Sequence, residues 1–473
     1  MEKLIEYLIQ DKSLLRKIKI LEMLVYSDEI QSTSILSENL KCTSRTIIND
    51  ISQLKSIIPE NWELISVPSK GYLLKRGYSE NLSSIIAPYM LNSDLYKILL
   101  GIFNQKYYSL EKWSQLLHLD KLTLKKYLKN FQKILDQFSL KFEFKIVRIV
   151  GKEHNIRNFY IMFFFNIQKY KRIYTLDFKL LKNIEYITKL YDIELDYNLL
   201  TISINVLIKR IINKQFIIKQ INYTPSLNTS ISKSLKFIIS ELEYQFNINI
   251  PKVEVESFGN ALFLMIEGGS EETVNIRNYY FKTNRELYDR ICNLFKTISM
   301  KINVNNKIKE KIKYEMFYRF HKISIIKDNN LTLEGFMNGF TTINQEFIEG
   351  YDIMFPLIID WNKNINKNRF TKDEIHYILF HILIVIHSNY TKKGLLQLSG
   401  DSSLKKFIYY KLKYELGDIA TLQQKPEYGN KFDFIIANYQ IQNAQIPVFH
   451  ISSELIQEDL KYIRQFLSPY SSL

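Results

Sequence analysis

Thr43, Ser44, Arg45 and Asn49 crowd into one stretch, residues 31–55, QSTSILSENLKCTSRTIINDISQLK. These side chains donate and accept hydrogen bonds, and no nucleophile–base pair stands among them, so their chemistry is recognition. Arginine matches the acceptor pair of guanine, asparagine matches the donor–acceptor pair of adenine, and serine serves either. Opposite them, Ile47, Ile48, Ile51 and Leu54 recur at helical spacing as one apolar stripe. Thr43 stands where an N-cap belongs. Helix, tight turn and helix are therefore predicted, the second helix having an apolar back and a polar front that also carries Gln53. A helix-turn-helix lays such a front in the major groove of duplex DNA.

The elements after it extend the reading. Residues 63–76, ELISVPSKGYLLKR, predict two short strands joined by a Pro-Ser-Lys-Gly turn, a β-wing with Lys70 at its tip. A tri-helical packing module without nucleic-acid contacts is the other reading of the segment. Residues 95–151 repeat the architecture: a helix from Ser109 through Leu117, a turn at 118–120, a helix over 121–135 and a strand pair over 140–151. The second helix buries Leu124, Leu128, Phe131 and Leu135 and exposes Lys121, Lys125, Lys129 and Lys133, with Lys126 beside them. Between 101 and 160 there are 12 Lys/Arg against 5 Asp/Glu, a net of +7, whereas residues 1–100 balance 12 against 12. The second module should thus supply most of the salt-sensitive phosphate attraction, and the first should discriminate bases. A merely solvated helix face fits the same lysine row.

The rest of the 473 residues bounds the function class. A composition 46% hydrophobic and 24% charged supports several packed domains, and a net charge of +15 points to a polyanionic partner. The start, MEKLIEYLIQDKS, lacks a secretory pattern, and the strongest apolar run, Phe159–Ile167, is too short to span a bilayer. The aromatics of 159–165 are expected in a core. Two cysteines, Cys42 and Cys292, make neither a disulfide framework nor a metal cluster. There is no phosphate loop, nucleophile elbow or H-E-x-x-H, so no cofactor, no metal and no enzymatic activity are expected, and the compartment is the cytoplasm. Amphipathic helices are predicted at 177–192, 197–213, 228–247, 251–266, 275–299, 305–327 and 371–389, in two blocks joined near Gly268-Gly269. His381 lies on the last of these helices with His376 and His387 at spacings that scatter them around it. After 390, apolar runs at 395–398, 432–437 and 446–451 alternate with helices at 402–416 and 454–467, which predicts a small parallel α/β domain. The loop Leu398-Ser-Gly-Asp-Ser-Ser403 falls where such folds hold anions.

Tandem winged modules, two helical blocks and an α/β tail, in that order, resemble the Mga/AtxA group of virulence transcription regulators of Gram-positive bacteria. The local matches are Thr46-Ile-Ile-Asn-Asp-Ile51 with the wing Lys70-Gly-Tyr-Leu73, Val150-Gly-Lys-Glu-His-Asn-Ile-Arg157, and Asp373-Glu-Ile375 ahead of His381. The resemblance covers essentially the whole chain. It implies a multidomain, mainly α protein: winged helix-turn-helix modules at 1–80 and 81–165, helical domains at 166–272 and 273–390 like phosphotransferase-system regulation domains (PRDs), and an enzyme IIB-like (EIIB-like) α/β domain at 391–473. It also implies a DNA-binding activator that dimerises and is tuned by histidine phosphorylation from a phosphotransferase-system phosphocarrier. His381 matches a phosphorylatable position; Asn198, at the corresponding place in the first block, cannot form a phosphoramidate. Ser-Gly-Asp-Ser-Ser replaces the phosphocysteine loop of enzyme IIB, so the tail is expected to be structural.

The expected function is a homodimeric, DNA-binding transcriptional regulator. Thr43, Ser44, Arg45 and Asn49 contact DNA, Lys70, Lys121, Lys125, Lys126 and Lys129 hold phosphates, and His381 is the phosphorylation candidate. Two alternatives stand beside it: an RNA-binding antiterminator with paired regulation domains, and a phosphocarrier working through the tail. His381 has the further reading of an ordinary core histidine.

Overall fold

The computed structural model describes residues 4–27, 29–77, 81–218, 229–266, 270–329, 331, 345–417, 419–425, 431–442, 444–452 and 457–470. The block junction expected at Gly268-Gly269 lies outside the described residues. The chain forms two compact units, residues 1–267 with 324–338, and residues 268–323 with 339–473.

The first unit begins with α1 (Leu4–Leu8), α2 (Lys12–Val25), α3 (Thr33–Leu40) and α4 (Ser44–Leu54), followed by the hairpin β1 (Glu63–Val67) and β2 (Gly71–Lys75). Its core gathers Leu21, Leu24, Leu36, Ile47, Ile51 and Trp62. Next come α5 (Leu82–Asn92), α6 (Asp94–Phe103), α7 (Leu110–Leu117) and α8 (Lys121–Gln137), then β3 (Lys141–Glu143) paired antiparallel with β4 (Arg148–Val150). The helix α9 (Glu153–Gln168) carries the aromatic run, in which Phe159, Tyr160, Phe163 and Phe164 are fully buried, as expected of core residues. Phe159 meets Phe131 and Phe138 at 6.2 and 5.5 Å, and Phe163 stacks on Tyr96 at 6.0 Å. Such aromatic packing contributes roughly 0.5–1.5 kcal/mol per pair beyond area burial. Helices α10 (Phe178–Leu190), α11 (Tyr197–Ile212), α12 (Thr229–Phe246) and α13 (Lys252–Met265) complete the unit.

In the second unit the stretch 275–299, expected as one helix, is two: α14 (Ser270–Thr283) and α15 (Arg285–Ser299). Asn284 makes the break by capping α15, its side chain accepting from the Leu287 amide at 3.1 Å. The helices α16 (Asn306–Asp328), which runs from the second unit into the first, α17 (Gln345–Asn364) and α18 (Lys372–Asn389) follow. A capping box formed by Thr371 and Glu374 starts α18. The tail holds β5 (Lys392–Gln397), α19 (Ser402–Leu416), β6 (Ala420–Gln423), β7 (Phe434–Ala437), β8 (Val448–His450) and α20 (Gln457–Leu467). All its strand pairs are parallel, in the order β6-β5-β7-β8. Strand β6 was not among the expected elements. No helix among the described residues is long and apolar enough to cross a membrane.

Candidate nucleic-acid interface

The turn between α3 and α4 is built by Lys41 in the left-handed conformation (φ 51°). It lets the Lys41 and Cys42 amides reach the Glu38 and Ser37 carbonyls at 3.2 and 3.1 Å, closing the first helix. Thr43 then caps α4, its Oγ1 accepting from the Thr46 amide at 3.2 Å. The same device recurs 77 positions on. Ser32 and Ser109 cap the first helices, His118 repeats the left-handed residue (φ 53°), and Asp120 caps α8, accepting from the Leu122 and Thr123 amides at 2.9 and 3.0 Å. Those amides hold the Asp120 carboxyl below the usual carboxylate range, that of Thr123 most strongly.

Both hairpins are tied to the residue just before the N-cap of the module's α3 or α7 helix. Gln31 and Tyr72 exchange backbone hydrogen bonds at 2.9 Å, and the Val147 amide donates to the Tyr108 carbonyl at 2.8 Å. Gly71 is obligatory at the first of these junctions: its φ is +137°, and a Cβ would lie 2.2 Å from the Gln31 carbonyl oxygen. The β1–β2 turn puts Ser69 at φ 60° and leaves Lys70 exposed.

On α4, Thr43, Ser44, Arg45 and Asn49 are all exposed. Ile48, expected on the buried stripe, is instead 50% exposed. Two adjacent residues on a helix stand about 100° apart, so only Ile47 can face the core. Ile48 adds to the polar front an aliphatic group of the kind that meets a thymine methyl. The buried side is completed by Asp50, 3% exposed, whose carboxylate receives the Arg16 guanidinium in a fork that includes Nη2–Oδ1 at 3.2 Å. That pairing raises the Arg16 pKa above its already high value. Gln53, expected on the front, accepts from Lys17 Nζ at 2.6 Å.

On α8, Leu124, Leu128, Phe131 and Leu135 are fully buried, while Lys121, Lys125, Lys126, Lys129 and Lys133 are exposed. Lys121 pairs with Glu111, holding that carboxyl below its usual range. Both partners stand in solvent, so a phosphate can displace the pair. Leu122 is 76% exposed beside the lysines.

The other singled-out residues lie elsewhere. His381 Nδ1 is 3.6 Å from Glu315 Oε1, and its ring meets Tyr377 edge-on at 4.7 Å. Arg319 joins Glu315 to the Tyr377 hydroxyl, the latter at 2.9 Å. Burial first, then the charges of Arg319 and Lys322, push the His381 pKa well below its ordinary value, so its ring is neutral. His376 instead pairs with the Tyr351 hydroxyl and His387 with that of Tyr470, each at 2.9 Å. No cluster able to hold a metal is found among the described residues. Asn198 is exposed in the first turn of α11. In the tail, Asp401 caps α19 by accepting from the Ser403 amide at 2.7 Å. A carboxylate therefore already occupies the helix end where an anion was expected.

Comparison with known proteins matches residues 16–73 to a helix-turn-helix (HTH) domain and residues 78–164 to the Mga helix-turn-helix domain. The capsule synthesis positive regulator AcpB of Bacillus anthracis is 22% identical over 494 positions, covering 97% of this chain and 99% of that protein. The anthrax toxin expression trans-acting positive regulator of the same organism is 22% identical over 481 positions, covering 97% and 98%. A shorter similarity, 27% over 146 positions and 31% of this chain, reaches 30% of the capsule synthesis positive regulator AcpA. Both helix-turn-helix segments are matched and the similarity runs the length of the chain, which supports the Mga/AtxA family of transcription regulators.

Proposed function

We propose that the chain is a cytoplasmic, homodimeric transcriptional activator of the virulence type, which binds promoter DNA through both winged modules and catalyses no reaction. Ser44, Arg45 and Asn49 read base edges from a helix whose start Thr43 fixes. Lys70, Lys121, Lys125, Lys126 and Lys129 hold phosphates. The observation that carries this reading is one turn geometry built twice, first behind a base-reading front and then behind a lysine row. Relatives named as positive regulators of capsule synthesis and toxin expression support activation of such genes. The two matched helix-turn-helix segments favour duplex DNA over the RNA-binding alternative. A side-by-side shift assay on duplex DNA and hairpin RNA tests the reading: retention of the hairpin but not the duplex would overturn it.

In this reading residues 166–272 and 273–390 are PRD-like domains and 391–473 an EIIB-like one. The parallel sheet of the tail supports the last assignment, and its lack of a cysteine disfavours phosphate relay through it. His381 is the residue open to phosphorylation by a phosphotransferase-system phosphocarrier. Its neutral imidazole is nucleophilic, and a phosphoryl group would add about −1.5 to −2 charges beside Glu315. His381→Asp should weaken self-association in sedimentation relative to His381→Ala; identical sedimentation of the two would remove His381 from control of assembly.

A further inference from the structure

The helix α9 has two working faces. Phe159 and Phe163 pack against the second winged module, while His154, Asn158, Ile161 and Met162 turn toward α11 and α13. Between these three helices, closed also by Asn329 and Leu331, lies a cavity of about 80 Å³.

Ion pairs fix how the cavity is oriented. Glu153, at the start of α9, binds Arg210 near the end of α11, with Arg210 Nε to Glu153 Oε1 at 2.8 Å. Arg157, one turn along, forks onto Glu254 at the start of α13, with Nη2 to Oε1 at 3.0 Å. So α11 runs against α9 and α13 runs with it. Counted along the helices from these pairs, His154, Asn158 and Ser257 come early among the lining residues, and Ile161, Met162, Leu199 and Leu264 come later. Ser203 lies one turn in from Leu199.

The polar lining is unfinished. Among the described residues, His154 Nε2, Asn158 Nδ2 and Ser203 Oγ have no hydrogen-bond partner, although Asn158 and Ser203 are only 7% and 2% exposed. A buried donor left so is destabilising unless something accepts from it. Water satisfies polar groups but not a predominantly apolar chamber, which favours a molecule with a polar head and an apolar body. Charge decides the head. Arg157 and Arg210 are matched by Glu153 and Glu254, and burial keeps the His154 ring neutral, so no spare positive charge faces the cavity. An anion here would be buried unpaired.

We propose that this cavity is a binding site for a small neutral carbonyl compound, its oxygen accepting from Asn158 and Ser203 and its aliphatic body lying between α9, α11 and α13. At about 10–15 Å³ per water-sized position, the space suits about five to eight heavy atoms. The site does not depend on DNA binding, and its test is independent of that function.

Hexan-2-one, with hexanoate as its charged counterpart, is titrated into the full-length protein and followed by saturation-transfer NMR and thermal melting. Expected is saturable binding of the ketone with a rise in melting temperature of about 2 °C or more. Hexanoate should bind at least about tenfold more weakly. Asn158→Leu removes an unpartnered donor at similar volume and should melt at or above the wild type while losing about tenfold or more in ketone affinity. Ser203→Val should act likewise, and Ala261→Phe should abolish binding by filling the chamber. Absence of saturable binding, undiminished affinity in Asn158→Leu and Ser203→Val, or hexanoate binding as tight as the ketone would each overturn the proposal.

Discussion

The two helix-turn-helix modules share a backbone plan and differ in nearly every side chain that faces outward. Positions 32, 41 and 43 of the first correspond to 109, 118 and 120 of the second, and the buried residues Ile47, Ile51 and Leu54 correspond to Leu124, Leu128 and Phe131. On the exposed side, Ser44, Arg45, Ile48, Asn49 and Ser52 face Lys121, Leu122, Lys125, Lys126 and Lys129 across the same 77-residue offset. The fold is therefore fixed by the caps and the apolar stripe, and the outward face is free to diverge. One face offers hydrogen-bonding forks and short side chains, the other a row of charges on a helix of 17 residues rather than 11.

If that division is a division of labour, it breaks in different ways. The largest expected effect comes from Arg45→Ala with Asn49→Ala. Each good bidentate base contact discriminates by about 1–3 kcal/mol, so loss of two should lower binding to a cognate promoter by about 30-fold or more while random duplex is bound nearly as before. Equal losses on both duplexes, measured by fluorescence anisotropy, would deny α4 its base-reading role. Lys125→Ala with Lys129→Ala should instead weaken every duplex alike and make the slope of log K against log salt shallower by about 2, near 0.9 for each phosphate no longer neutralised. An unchanged slope would reduce the lysine row to a solvated face.

Smaller effects concern how the two helices are held. Asp50→Ala leaves Arg16 without its fork across α2 and α4 and should destabilise the first module by about 1–3 kcal/mol in denaturant melts. Thr43→Ala should cost about 1 kcal/mol through removal of the cap. The caps also titrate differently. Asp120 has a folded pKa depressed by the amides of Thr123 and Leu122, so its contribution is present above the unfolded carboxylate pKa near 4 and lost as pH falls through the lower folded value. Amide exchange at Leu122 and Thr123 should accelerate, relative to the intrinsic rate, as pH drops from about 4 toward 2.5, while Thr46, capped by a hydroxyl, shows no such step. Parallel behaviour of the two caps would mean the carboxylate of Asp120 is not what holds α8.

What the sequence made legible was local. The helix start at Thr43 follows from cap chemistry, those near 121 and 371 from apolar spacing, and the parallel tail from short apolar runs between helices. The misses came from contacts beyond the reach of periodicity. Ile48 looked apolar enough for the core, but the inward place is taken by Asp50, which becomes acceptable there only because Arg16, 34 residues earlier, neutralises it. Strand β6, with the mixed sequence Ala420–Gln423, sits at the sheet edge, where one side needs no apolar cover. Asn284 interrupts a helix by capping the next one, a role that its lone occurrence in a polar stretch does not advertise. No local pattern relates the charges Glu153, Arg157, Arg210 and Glu254, which come from three separate helices and pair in the interior beside the α9 cavity. At the candidate interface the exposed positions of Arg45, Asn49 and the α8 lysines agree with a front that can meet a duplex.

The most direct test of the division between α4 and α8 is selection from a random duplex library by the full-length protein, the Arg45→Ala/Asn49→Ala variant and the Lys125→Ala/Lys129→Ala variant. The wild type and the lysine variant should enrich the same motif, the latter from a weaker-bound pool, and the Arg45/Asn49 variant should enrich none at those positions. Recovery of the unchanged motif by the Arg45/Asn49 variant, or its loss in the lysine variant, would contradict the assignment of base reading to the first module.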